Sequence, residues 1–546
     1  MLTKKTSLSM ALSSLTLALA TAAHSAPPSR SDLLNEFWSP DRLHPLECRF
    51  GVLNNSPWGL PRCMQAKNVM THLQMLNDIA GANDGTRAAG LPGYDASVDY
   101  IKSTLESAGY NVTLAPFPFN AFYPQGPGTL ESTAPDTTSY EWEVDFSYLS
   151  QTDAGDVTGP VAAVDLALGP DNGSTSGCEA EDFAGFPAGS IALVQRGSCT
   201  FQIKAENAAA AGAIGVIIFN QGNTDDRKGL MNATLGDDYT GGIPVVFATY
   251  DNGVAWSGTE GLQMHVVTDV VRKQTETVNV IAESRRGNPD NVVMVGSHLD
   301  SVYEGAGIND NGSGSAALLE MALQMRRAHP RNKIRFAWWG AEESGLVGST
   351  HYVQNLPEDE LKKIKVYLNF DMIASPNFAY MIYDGDGSDF GLEGPPGSKA
   401  TEKLFEDYYK LRALPYEGTE ISFRSDYAQF FTDGVAFGGL FTGAEVAKTE
   451  EQAEKYGGDA GVALDHCYHQ ACDDINNIAQ DALEINIDAV AFVTSWLSLS
   501  TKVIDDEIEA AAKKDEGVAA MRAFSASSSS SASSYDITHW GKHWIK

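Results

Sequence analysis

Beyond its N-terminus the chain contains no segment reaching the roughly 18 consecutive apolar residues that span a bilayer. No membrane-crossing helix is expected. Basic side chains are few, 38 Lys and Arg against 71 Asp and Glu, and the formal charge is -33. A surface of that sign repels phosphate backbones and anionic headgroups, which argues against nucleic acid or a membrane surface as partner and mainly favours solubility. Cysteine is scarce as well: six in 546 residues, in three local groups, Cys48 with Cys63, Cys178 with Cys199, and Cys467 with Cys472. In an exported chain an even count favours disulfides paired locally, with thiolate metal ligation as the alternative.

What is present begins with "MLTKKTSLSMALSSLTLALATAAHSAPPS", where Lys4 and Lys5 precede an apolar run and then small residues. That order is a secretory signal peptide, residues 1–25, cleaved between Ala22 and Ala26, so the mature protein is expected to be soluble, secreted and extracellular. Glycosylation sequons stand at Asn54, Asn111, Asn172, Asn232 and Asn311. They are expected to stay unmodified if the short charged start marks a bacterial signal. The 43% hydrophobic content and the length suit two large domains with accessory segments.

In residues 26–125, "VMTHLQMLNDIA" and "ASVDYIKSTLESAGY" carry apolar residues at helical spacing and predict two helices. From about Phe122 the composition turns to Pro, Gly, Thr and Ser, which predicts a separate β-rich unit over residues 126–272. Within it, "SIALVQRGSCTFQIKAENAAAAGAIGVIIFNQG" reads as strand, turn, alanine-rich helix and strand, and "GIPVVFATYDNG" as a strand and turn. With its Arg196-Gly197 turn, Cys199 and Ala-rich helix, this block resembles the protease-associated (PA) domain from about Glu131 to Val270. The resemblance implies a lid, a substrate guide or a spacer on a peptidase, with no chemistry of its own.

Residues 273–505 alternate apolar strand-like runs ("NVIAESR", "NVVMVGSHLDSV", "KIRFAWWGAEESG", "VYLNFDMIAS") with helical stretches such as "SGSAALLEMALQMRRA". The expectation is an α/β fold, a mixed and centrally parallel sheet flanked by helices, whose ligands gather at the carboxyl ends of the strands. His298 and Asp300 close one strand, and on an extended chain they would share a face, so that Asp300 could take the second ring N–H of His298. Asp310 lies in an Asn-Asp-Asn-Gly turn before a helix, Asp371 follows an apolar strand, and His469 sits between Cys467 and Cys472. Taken singly, each is ordinary: turn chemistry, a hydrogen-bonded pair, an exposed loop histidine. Together His298 and His469 with Asp310, Glu343 and Asp371 make two histidines and three carboxylates, a nitrogen and oxygen set that suits two zinc ions sharing one carboxylate. Adjacent side chains leaving a strand diverge, so Glu343 binds metal while its neighbour Glu342 faces the attacking water as general base. The competing account of that acidic pair is the first turn of a helix, where carboxylates meet the helix dipole.

The runs "GSHLDSV", "GINDNGSGSAALLE", "WWGAEESGLVGS", "NFDMIASP", "FRSDYAQF" and "CYHQACDD" resemble the M28 family of di-zinc aminopeptidases, over nearly the whole mature chain. That resemblance implies Asp310 as bridging ligand, His298 and Asp371 on one zinc, Glu343 and His469 on the other, Glu342 as base, Asp300 behind His298, and Tyr468 as oxyanion donor. Where the family often has Asp after the bridging ligand, this chain has Asn311. The implied substrates are peptides with a free N-terminus, and Met372, Phe441 and Tyr468 suggest an apolar pocket for Leu, Met or Phe, with Arg424 matching a family motif. Two alternatives are a related metal-dependent exopeptidase or cyclase and a catalytically silent, receptor-like binding protein on the same scaffold. Residues 506–546 read as a linker and tail: a serine-rich run, Ser525 to Ser534, followed by the basic, aromatic "YDITHWGKHWIK". That end is read either as a disordered or secretion segment or as a removable, intramolecular inhibitor of the acidic cleft.

Overall fold

The computed structural model describes residue 48 and residues 54–525 apart from 232, 237 and 238. The stretch read as a signal peptide, the Asn232 sequon and the residues after Ser525 lie outside the described residues. The two N-terminal helical patterns form α1, Ala66–Gly81, which buries Val69, Leu73, Leu76 and Ala80 at helical spacing, and α2, Pro92–Ala108, which starts on proline and ends at a left-handed Gly109. Strand β1, Val112–Pro124, pairs antiparallel with β2, Val270–Glu283, from Val112 opposite Ala282 to Pro124 opposite Val270. A second sheet is inserted between these two strands. Its middle strands, Gly155–Val164, Ile191–Gln195, Gly215–Phe219 and Val245–Ala248, run parallel. Ile191–Gln195 and Gly215–Phe219 are buried at every position, which is why both read as continuous apolar runs. The "YDNG" read as a turn instead opens a helix, Tyr250–Ser257, with Trp256 buried beneath it.

The main sheet continues with β3 (Asn288–His298), α3 (Gly314–Met325), β4 (Asn332–Trp339), α4 (Val347–Asn355), β5 (Ile364–Phe370), β6 (Met381–Tyr383), α5 (Ser398–Arg412), β7 (Glu417–Thr419), α6 (Tyr427–Thr432), β8 (Phe437–Phe441), α7 (Gln480–Leu499) and α8 (Lys502–Ser525). The strand order is β1-β2-β4-β3-β5-β8-β6-β7. The inner strands β4, β3, β5 and β8 are parallel, and the joins of β1 to β2, β2 to β4 and β8 to β6 are antiparallel. The chain leaves β3 to build β4 on one side and then returns to build β5 on the other, so a crevice opens at the carboxyl ends of these strands. Trp338 and Trp339 show how the sheet is covered on both faces. Trp338 packs with α1, α3 and α7, its indole N–H on the Ser315 carbonyl at 3.0 Å, and Trp339 packs on the other face, donating to the Tyr367 hydroxyl at 2.8 Å.

Helix α7 is, by length and composition, apolar enough to cross a bilayer, but it is a core helix with Leu483, Ile487, Val490, Val493 and Leu497 buried. Helix α8 runs through residues read as the start of a linker; Ala, Glu and Lys are good helix formers, and the helix extends through Gly517 to Ser525. The cysteines pair locally, Cys48 with Cys63, Cys178 with Cys199 and Cys467 with Cys472. Three disulfides fit an oxidising compartment.

Candidate metal centre

Each candidate ligand follows the end of an inner strand or a loop fastened to one. His298 is the last residue of β3, Asp371 follows β5, and Glu342 and Glu343 come after β4 through Gly340, where a Cβ would meet the Tyr94 hydroxyl at 2.4 Å. The acidic pair does not lie in a first helical turn, because α4 begins only at Val347. Left-handed backbone at non-glycine residues gathers here: Ala341 and Leu346 around the pair, Met372 after Asp371, and His469 itself. Each such residue costs on the order of 1 kcal/mol or more and persists only where its surroundings enforce it.

Asp310 stands at the centre. One of its carboxylate oxygens lies 3.2 Å from His298 Nε2, the other 3.2 Å from His469 Nε2. Asp371 Oδ1 completes the His298 side at 3.4 Å, and Glu343 Oε2 the His469 side at 3.0 Å. The result is two triads that share Asp310, His298 with Asp310 and Asp371, and His469 with Asp310 and Glu343, while a third grouping sets Glu342 and Glu343 beside His298. Glu342 Oε2 is more remote, 3.9 Å from His298 Nε2. His298 is fully enclosed, whereas the His469 side chain is 32% exposed, so the cluster opens on the His469 side.

Burial pushes the Glu343 carboxyl up to about 7 and Glu342 well above the carboxylate range. For the histidines burial acts the other way, but the surrounding carboxylates outweigh it and hold both imidazoles protonated well above their ordinary value. Asp310 is also pressed upward by burial, yet its bonds to the two histidines bring it well below its usual range. Further positive charge entering the cluster would favour the ionised forms of Glu342 and Glu343. The donors fit such a charge: Glu343 Oε1 and Asp371 Oδ1 are buried without a hydrogen-bond partner, and the set of imidazoles and carboxylates without thiolate suits zinc.

Other candidates are placed less simply. The Asp300 carboxylate is 3.7 Å from His298 Nδ1, and the Asp300 main-chain carbonyl is nearer, at 3.1 Å. Strand β3 ends at His298, two residues before Asp300, so the two do not share one extended strand. The carboxylate accepts the amides of Glu342 at 3.2 Å and Glu343 at 3.3 Å, and so holds the acidic pair. The Tyr468 ring stacks on His469 at 3.8 Å, and its hydroxyl accepts from Arg424 at 3.2 Å, while Arg424 also bonds Glu445 at 2.8 Å. Met372 is buried with its carbonyl on the Thr442 amide at 2.9 Å, and Phe441 packs with Ala379, Met381 and Leu464. Asn311 turns its side chain to the backbone, donating to the Phe370 carbonyl at 2.9 Å and accepting the Gly314 amide at 3.0 Å.

Several residues of this centre were not singled out from sequence. Ser425 donates to Asp371 Oδ2 at 2.6 Å. Arg87, fully buried, spreads its guanidinium over the carbonyls of Leu299, Ala306 and Gly307 in the loop between His298 and Asp310. Burial lowers it to about 10, so it stays charged at neutral pH. Asp426 is buried with neither carboxylate oxygen hydrogen-bonded, the nearby Ser349 hydroxyl being engaged by the Leu346 carbonyl at 3.2 Å, and burial pushes it up to about 7. A patterned strand could reveal none of these. Only "FRSDYAQF", singled out for Arg424, carried a signal for Ser425 and Asp426.

Comparison with known proteins agrees with this geometry. Residues 279–494 match peptidase family M28, and residues 157–256 match the PA domain. An aminopeptidase of Pseudomonas aeruginosa is 66% identical over 545 residues, covering 100% of both chains. Leucine aminopeptidase 2 of Arthroderma otae is 37% identical over 446 residues, 80% of this chain and 85% of that protein. Among solved structures, a zinc aminopeptidase from Bacillus subtilis superposes with a TM-score of 0.56 at 25% identity, over 81% of this chain and 97% of that one. With the full-length identity to an aminopeptidase and the match of residues 279–494 in agreement, this chain belongs to peptidase family M28.

Proposed function

We propose that this chain is a secreted, zinc-dependent aminopeptidase that hydrolyses the N-terminal residue, Leu or another large apolar one, from peptides. The observation that carries the reading is Asp310, with one carboxylate oxygen 3.2 Å from each histidine and the unshared Glu342 carboxylate beside them. His298 and Asp371 would hold one zinc, His469 and Glu343 the other, and Asp310 would bridge. Bound there, the ions would polarise the scissile carbonyl and acidify water.

The protein's own groups supply the rest. Glu342 takes a proton from the attacking water and delivers it to the leaving amine as the C–N bond breaks, so water is added across the peptide bond and the base is restored. Asp300 fixes the base by holding the Glu342 and Glu343 amides. Tyr468 donates to the oxyanion that develops on the carbonyl. Because Arg424 already donates to that hydroxyl, the hydroxyl proton is left for the substrate. The concentration of carboxylates around the centre favours a substrate that brings an ammonium group, which is the basis for the free N-terminus. Met372 and Phe441 are linked through the Thr442 backbone and would form the apolar wall for the first side chain.

The PA insert serves in this reading as a cover or guide for the cleft. The tail, outside the described residues, serves as a tethered inhibitor: its Lys542 and Lys546 suit an acidic cleft, its Trp540 and Trp544 an apolar mouth, and attachment gives an effective concentration of roughly millimolar. A chain stopped near Val518 should then be the more active on a leucyl substrate, and equal activity at matched zinc content would remove the tail's role. The main test compares leucyl peptides with free and N-acetylated termini. The free peptide should be cleaved and the blocked one spared; equal cleavage of both would contradict an aminopeptidase.

A further inference from the structure

The short segment that carries Tyr468 and His469 also grips the loop of the opposite ligand. Asp473 accepts the backbone amides of Asn309 at 2.8 Å and of Asp310 at 3.0 Å, one on each carboxylate oxygen. Asp465 accepts the side chain of Asn309 at 2.6 Å and the amide of Cys467 at 2.9 Å. Asn477 lies between the two acids, its amide nitrogen 3.0 Å from Asp473 and 3.0 and 3.1 Å from the two oxygens of Asp465. All three residues are buried. The loops also approach by their backbones, since a Cβ at Gly305 would meet the Gln470 carbonyl at 2.5 Å.

We propose that Asp465, Asp473 and Asn477 are positioning residues that lock the Asp310 carboxylate and the His469 ring at one spacing, so that both metal sites form and fail together. The inference rests on the two-ion reading above. An amide group has two hydrogens and no charge, and here each hydrogen serves one buried carboxylate. An aspartate at position 477 would add a third like charge, and an apolar residue would leave two buried carboxylates facing each other. Asp473 in turn makes charge-assisted bonds to two successive amides, the second belonging to the bridging ligand itself. Removing it frees the Asp310 backbone. The remaining ligands are held independently, Asp371 by Ser425 and Glu343 by Asp300. Disturbing Ser425 should therefore affect one ion, whereas disturbing the three-residue lattice should affect both.

The test uses the full chain, freed of metal and titrated with cobalt(II), with the visible absorption of each bound ion and chelator competition giving two stepwise affinities. Asp473→Asn and Asn477→Ala should each weaken both steps together by about 10- to 100-fold, the usual range for groups that orient ligands. Ser425→Ala should weaken one step and spare the other. Thermal unfolding of the metal-free proteins checks that the variants are folded. If Asp473→Asn does not fold, Asp473→Glu and Asp465→Asn carry the same comparison. Both steps remaining within about twofold of the parent, or only one step weakening, would overturn the proposal. A parent chain that binds a single ion would instead refute the two-ion reading, and the affinity of that ion in the variants would still decide whether the lattice positions it.

Discussion

Glu342 and Glu343 are neighbours of identical chemistry, and substituting each by Gln should give opposite results. Gln keeps the shape and removes the charge and the basicity. Glu342 lies outside the two triads that share Asp310, and its nearest histidine nitrogen is 3.9 Å away, so Glu342→Gln should keep its metal. It loses the proton acceptor, and general base catalysis contributes about 10²- to 10⁴-fold. At 1.36 kcal/mol per tenfold this is about 3–5 kcal/mol on the barrier, expressed in kcat. Glu343 Oε2 is 3.0 Å from His469 Nε2, within a triad that could hold an ion, and its second oxygen is buried without a hydrogen-bond partner. Glu343→Gln should therefore release metal, weakening one site by at least about 10- to 100-fold, the range seen even for groups one layer further out. The assay pairs zinc content after gel filtration with kcat on a leucyl amide at saturating zinc. Equal loss of metal in both variants, or a Glu342→Gln enzyme within tenfold of the parent kcat, would refute this division of roles.

Tyr468→Phe removes the proposed oxyanion donor while leaving the ring stacked on His469, and should lower kcat by about 10²- to 10³-fold with unchanged zinc content; a change confined to KM would assign the hydroxyl to substrate binding instead. Metal binding should release protons, because Glu343 is pushed up to about 7 and both histidines are held protonated in the metal-free cluster. All three must lose a proton to act as ligands, so zinc affinity should rise with pH through neutrality, by about tenfold per pH unit for each proton released. Chelator competition on either side of pH 7 measures this, and a flat profile would contradict the protonation states described.

Much of the fold could be read because its strands are written plainly. "NVVMVGSH" and "KIRFAWW" are long apolar runs, buried in the parallel middle of a sheet, and chemistry at their ends stands out by contrast. That is how His298, Glu342, Glu343 and Asp371 were legible. Asp300 was noticed for the same reason; besides approaching His298 Nδ1 at 3.7 Å, its carboxylate accepts the Glu342 and Glu343 amides, and no spacing rule anticipates that contact over 42 residues. Arg87, Asp465, Asp473 and Asn477 sit in polar, turn-rich stretches where acids and amides are commonplace. Their importance comes from burial against a loop far away in sequence, and burial of a polar residue leaves no periodic trace. The helix Tyr250–Ser257 was hidden by "YDNG", whose turn-forming residues serve there in a helical first turn.

The central claim is a centre of two zinc ions joined by Asp310. Metal analysis of the chelator-stripped and zinc-reconstituted full chain, run alongside leucyl peptide hydrolysis, tests it most directly. The account predicts two zinc ions per chain in the active protein, with hydrolysis abolished on stripping and restored on reconstitution. Hydrolysis that survives complete removal of zinc, or full activity at one ion per chain with no second ion bound, would contradict it.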